Sequence, residues 1–172
     1  MLIKLESMLR VSLALVPSNS PPGSQARQDD LIPRMLEFTT ADQRFAVGRS
    51  SSGKSPIPSL FNALFHSRSV SRQHAELSID PRTNVSVPYL VYLHDTDIRQ
   101  LLMVEDLRSM HGTYLNSTKL ASGITHYVHS GDVLQFGSDI QHEESKSLYS
   151  ISAEAHILTF TRRSLCSSNL QG

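Results

Sequence analysis

Gly48–Ser55 reads GRSSSGKS and meets the phosphate-cradling pattern G-x-x-x-x-G-K-[ST] at every fixed position. In that pattern backbone N–H groups and a lysine, here Lys54, hold nucleotide phosphates, which would make the chain a nucleotide-binding enzyme. The pattern needs a strand before it and a helix starting near its Gly-Lys. Phe45–Val47 supplies the strand, but Pro56 and Pro58 follow at once. Pro58 lacks the N–H that should bond the Lys54 carbonyl, a fault of about 3 kcal/mol in a helix. Ser55 and Ile57, each before a proline, are biased toward extended geometry. A second basic signal survives that failure. From Gln43 to Ala75 there is no Asp or Glu, while Arg44, Arg49, Lys54, Arg68 and Arg72 all fall there. On a chain of zero formal net charge, this stretch makes a local basic surface, and composition alone fits an anion site and a solvated loop with counter-charges from elsewhere in the fold equally well.

Other chemistry-bearing groups are less organised. His126 and His129 stand three apart, and His142 precedes Glu143 and Glu144. That spacing suits metal ligands on a helix, but the region reads as loop and strand, so no metal is assigned. No nucleophile, base and orienting group share a recognisable context. Cys166 is the single cysteine, which excludes an internal disulfide and fits a reducing compartment.

The elements that carry these residues are strands. Val11, Leu13 and Leu15 alternate with Ser12 and Ala14, the period of a half-buried strand. Short apolar runs follow at Met35–Phe38, Phe45–Val47, Ala75–Ile79, Val85–Leu93, Leu101–Asp106, Thr113–Asn116 and Val133–Phe136, with a longer one at Tyr149–Phe160. Ser18–Asp30 reads as a polar loop, and Asp80–Asn84 as a turn. Ser59–Phe65 is the one expected helical insert. Roughly ten short strands between turns predict an all-β, antiparallel sandwich or barrel, and no βαβ alternation supports the nucleotide-hydrolase reading.

A chain of 172 residues accommodates one domain with flanking tails. The expected division is an extension at 1–9, a domain at 10–160 and a loose polar tail at 161–172. Zero net charge argues against a general nucleic-acid binder. No run reaches the ~18 apolar residues of a membrane span.

Four segments, VGRSS (Val47–Ser51), SVSRQHAEL (Ser69–Leu77), DLRSMHGTYLN (Asp106–Asn116) and SGDVLQFG (Ser130–Gly137), occur in this order. Together they resemble a forkhead-associated (FHA) domain, whose pattern runs G-R, S-x-x-H, S-x-N-G-T-x-x-N, G-D-x-[IVL]-x-[FIL]-G. The resemblance spans about Arg10 to Phe160 and implies an FHA-type β-sandwich of ten to eleven strands that binds phosphothreonine on a partner protein. LFHSRSVSRQHAEL further resembles the sarcolemmal-membrane-associated-protein type, whose fungal relatives act in the striatin-interacting phosphatase and kinase (STRIPAK) assembly.

The resemblance implies roles residue by residue. Arg49 matches the arginine that pairs with the phosphate, Ser71 the serine that donates to it, and Arg72 a second positive charge beside it. Gly48, His74, Gly112, Thr113 and Asn116 match positions that hold the loops together. His111 departs from the pattern, standing where the family has an asparagine that bonds the ligand backbone. Either a neutral imidazole, with one donor and one acceptor in a different shape, takes over that bond, or recognition of the ligand backbone is weakened. Beside it Met110 either shapes the groove for flanking residues or simply packs, and Lys54 either reaches acidic flanking residues or stays solvated. No catalysis, cofactor, small-molecule substrate or nucleic acid is implied. Membrane contact would arise only through regions outside this chain, and the implied location is the cytoplasm, including the cytosolic face of an endomembrane. The competing reading is an interaction domain indifferent to phosphate.

Overall fold

A computed structural model of the chain describes residues 2–16, 27–40, 42–51, 56–80, 102–140 and 148–166, with side chains described between 9 and 158. Lys54, the Asp80–Asn84 turn after its first residue, Val85–Leu93, His142 with Glu143 and Glu144, and the Cys166 side chain lie outside that description.

Among the described residues eleven strands form two sheets. They are β1 (Leu2–Leu15), β2 (Arg34–Phe38), β3 (Arg44–Arg49), β4 (Ala63–Phe65), β5 (Ala75–Ile79), β6 (Leu102–Asp106), β7 (Thr113–Leu115), β8 (Thr118–Lys119), β9 (Thr125–Val128), β10 (Val133–Phe136) and β11 (Ile151–Cys166). The first sheet runs β2-β1-β11-β10-β7-β8, and the second β4-β3-β5-β6-β9. The expected all-β sandwich is thus the fold. Alternation does the work: Leu9, Val11 and Leu13 of β1 point inward, as do Leu36 and Phe38 of β2 and Leu102 and Val104 of β6. These side chains, with Val47, Leu77, Ile79, Leu134 and Phe136, make one buried core. Each contributes roughly 1.5–3 kcal/mol by leaving water. Phe65 and Phe136 stack across the core with centroids 6.3 Å apart, linking the two sheets.

Two expectations need correction. Ser59–Phe65 is not a helix. The Asn62 side chain accepts from Ser59 N and Leu64 N and donates to the Ile57 carbonyl, which fixes a turn. Ala63–Phe65 then becomes β4, pairing parallel to β3, so the sandwich is not wholly antiparallel. The only helical turn among the described residues is the 3-10 segment Gln28–Leu31. The longest strands are β1, from Leu2, and β11, to Cys166. Their antiparallel register runs unbroken from Leu15↔Ala153 to Leu2↔Cys166. A ladder is a backbone structure, so the polar wording of TRRS did not reveal it.

The edge of the second sheet is closed by charge. Arg34 is fully buried, its guanidinium 4.8 Å from the Phe65 ring centroid. It donates to the carbonyls of Asp29, Ile32 and Leu64, the last in β4. Asp30, also buried, accepts from His66 N and the Tyr149 hydroxyl. No helix among the described residues is long and apolar enough to cross a membrane.

Candidate functional site

Topology gathers the motif residues at one end of the sandwich. Parallel β3 and β4 both finish there, with Arg49 opposite Phe65. Antiparallel β5 starts there, β6 finishes there at Asp106, and β7 starts at Thr113 opposite Phe136, the last residue of β10. The connections between these strands therefore meet.

Gly48 permits the first close approach. A Cβ on it would lie 2.2 Å from the Arg72 carbonyl oxygen, so any side chain would push the 71–74 segment away. With that segment seated, Arg49 N donates to the Ser71 carbonyl at 2.8 Å and His74 N to the Val47 carbonyl at 2.9 Å.

His74 ties the loops together. Its ring is fully buried and meets Phe136 edge-on at 5.9 Å. Nδ1 accepts from Ser71 N at 2.9 Å, which leaves the proton on Nε2, 3.1 Å from the Gly112 carbonyl. The His74 carbonyl accepts from Leu107 N. One side chain thus binds the loop after β4 to the loop after β6. Burial pushes the His74 pKa down, and its bond to the Gly112 carbonyl only partly offsets this. The unfolded ring takes a proton near pH 6.5 while the native ring stays neutral. Its contribution to stability is therefore full above that pH and falls below it, by up to about 1.4 kcal/mol per pH unit until the native pKa is reached. Urea unfolding at pH 5.5 and 7.5 should show the lower midpoint at 5.5. His74→Asn, which keeps an acceptor but no titrating ring, should flatten that difference.

Ser71 Oγ accepts from Met110 N at 3.0 Å, so its own O–H is free to turn outward. Met110 is 82% exposed, an unusual setting for a large apolar side chain. His111 is half-buried, and its carbonyl accepts from the Tyr114 hydroxyl at 3.3 Å. Arg49 is half-buried, with Nη1 3.5 Å from the Arg68 carbonyl, and Arg72 is exposed. Gly112 has φ +82°, a region that L side chains resist.

The structure brings Arg49, Ser71, Arg72, His74, Met110, His111 and Gly112 to this end. Thr113 lies beneath them, fully buried, and donates from Oγ1 to Asp106 at 2.7 Å. Asn116 does not join them. It sits at the far end of β7, where its side chain donates to Asp132 and accepts from Val133 N.

Asp106 escaped the sequence reading. It is buried and accepts from Thr113, from the Ser109 amide and hydroxyl, and from the Ser122 hydroxyl. Burial works to raise its pKa, but the hydroxyl and amide bonds outweigh it and hold the carboxyl below its usual range. The signal was present: Asp three residues before Ser is the pattern of an Asp side chain closing a local turn. Among the described residues no three His, Cys, Asp or Glu side chains assemble as a metal site.

The model of the FHA domain matches residues 45–137, more than half of the chain and all four motifs. The chain belongs to the FHA family. FHA domains are interaction modules that bind phosphopeptides, not enzymes. The chain is 32% identical over 118 residues to an uncharacterized protein of Schizosaccharomyces pombe, C3H7.13, covering 66% of this chain and 34% of that one. It therefore spans about a third of that relative's length. Full-length yeast Pml1p, at 16% identity, superposes with a TM-score of 0.50 over 87% of this chain and 83% of its own. An FHA domain of an Arabidopsis thaliana hypothetical protein, at 18% identity, gives 0.46 over 95% and 92%. At 16% identity the likeness to Pml1p is one of fold.

Proposed function

We propose that this FHA domain docks a phosphothreonine-bearing segment of a partner protein, and that Arg49, Ser71 and Arg72 hold the phosphate. The observation that carries the reading is the Ser71 hydroxyl, fixed by the Met110 amide beside the end of β3, where Arg49 emerges. A phosphate with about −1.5 to −2 charges at neutral pH suits two guanidinium groups and a free O–H. The Arg49 fork can give two parallel bonds to its oxygens. Capture is electrostatic and makes no covalent change. The threonine methyl takes a small apolar niche, while Met110 and His111 read the residues around it.

The wording of the Leu64–Leu77 segment supports a place in a signalling scaffold of the striatin-interacting phosphatase and kinase type, in the cytoplasm or at the cytosolic face of an endomembrane. His111, in place of the family asparagine, favours a second reading: docking through the same loops without need of phosphate. Titrating one threonine peptide in phosphorylated and unphosphorylated forms separates the two. Binding of the phosphorylated form alone is expected, and phosphoserine in its place should bind more weakly by about 1–3 kcal/mol. Equal affinity for phosphorylated and unphosphorylated threonine would favour the second reading.

A further inference from the structure

Lys119 belongs to none of the four motifs, yet the hairpin delivers it to the docking end. Asn116 and Ser117 both have positive φ, 49° and 67°, and close β7 onto β8 in a tight turn. That turn pairs Lys119 with Tyr114. Directly opposed residues share a face of the sheet, and the Tyr114 hydroxyl on this face reaches back to the His111 carbonyl. Gly112 gives an independent measure. A Cβ on it would meet Lys119 Cε at 2.5 Å and Nζ at 3.3 Å. The lysine stem therefore fills the space that a side chain at 112 would take, and its ammonium emerges beside the His111–Gly112 peptide.

That peptide is continuous with the phosphate-holding loop. The Gly112 carbonyl bonds His74 Nε2, and His74 Nδ1 bonds Ser71 N. Lys119 is exposed, and no carboxylate among the described residues forms an ion pair with it. The nearby acids are engaged: Asp106 by three hydroxyls and an amide, Asp132 by Asn116 and the His129 amide. A stem laid along the backbone also surrenders less freedom on binding than a wholly free lysine.

We propose that Lys119 is a specificity residue of the docking face and selects ligands with a carboxylate side chain flanking the phosphothreonine. The inference rests on the phosphopeptide reading above. It adds a second, separate charge contact, on the β7–β8 side of the face rather than the β3–β4 side.

The test uses phosphothreonine peptides in which Glu, Gln or Lys is scanned through each flanking position, titrated by fluorescence anisotropy into the parent chain, Lys119→Ala and Lys119→Glu. The readout is the Glu-to-Gln affinity ratio at each position, with thermal melts to confirm that each variant folds. The parent should favour Glu at one position by about two- to fivefold, as an exposed ion pair allows. Lys119→Ala should bring that ratio to one, and Lys119→Glu should invert it and favour Lys there. A parent with no acidic preference, or a preference that both variants retain, overturns the role of Lys119 while leaving phosphate capture standing. Failure of every phosphopeptide to bind the parent overturns the docking proposal itself.

Discussion

Arg49→Ala is expected to weaken binding of a phosphothreonine peptide by roughly tenfold to a few hundredfold without lowering the unfolding temperature. A hydrogen bond to a charged group contributes about 1.5–3 kcal/mol, and every 1.4 kcal/mol is about tenfold in affinity. Arg49 can supply two such bonds in parallel, although their energies do not simply add. Folding should be indifferent because the side chain is half-exposed and its described bond, 3.5 Å to the Arg68 carbonyl, is long. The structural link at this position is Arg49 N to the Ser71 carbonyl, which alanine keeps. Arg49→Lys should fall between the two, retaining charge but losing the fork. Anisotropy titrations beside thermal melts check both halves of the expectation.

Asp106→Ala should act through the fold, costing about 3 kcal/mol of stability although Asp106 is not placed against the ligand. Its carboxylate is 1% exposed and serves Thr113, Ser109 and Ser122 at once. Alanine would leave the fully buried Thr113 hydroxyl without its acceptor, at a price of roughly 1–3 kcal/mol for that group alone. The turn through Ser109 would also lose its anchor, so Met110 and His111 should become mobile and peptide affinity should fall with stability. Urea unfolding measures the first effect, and backbone amide exchange at 109–112 the second. The sign with pH follows from the lowered native pKa. The contribution of Asp106 is present above the unfolded value of about 3.9 and is lost as pH falls through the native value. Asp106→Asn should therefore show a shallower acid-unfolding slope than the parent.

Much of this architecture was written in alternation and turn residues. The inward positions Val11 and Leu13 of β1 follow directly from a period-two pattern, and the order of motifs placed the loops at strand ends. What stayed hidden came from pairing between distant segments. β4 is three residues long and looked helical, because nothing local announces that Ala63–Phe65 will lie parallel to β3. The two residues of β8 are likewise too few to carry a period, and the Asn116–Ser117 turn that creates them is also what brings Lys119 to the site. The failed nucleotide pattern has the same lesson in reverse. Gly48 fits it by letter, but in the structure this glycine exists to let the Arg72 carbonyl approach β3. Asp106 was missed because its partners come together only in the fold: the hydroxyls of Ser109, Thr113 and Ser122 are supplied by the loop after β6, the start of β7 and the loop before β9.

The central claim is that the phosphate of a partner's threonine is held where β3 ends, between Arg49, Ser71 and Arg72. The most direct measurement is a ¹⁵N NMR titration of the labelled chain with the best phosphothreonine peptide from a degenerate library, alongside its unphosphorylated form. The expected result is that the phosphorylated peptide shifts the amides of Ser71, Arg72 and Met110 and the Arg49 Nε signal most strongly, and that the unphosphorylated peptide leaves them in place. Shifts centred on another face, or the same shifts from both peptides, would contradict the account.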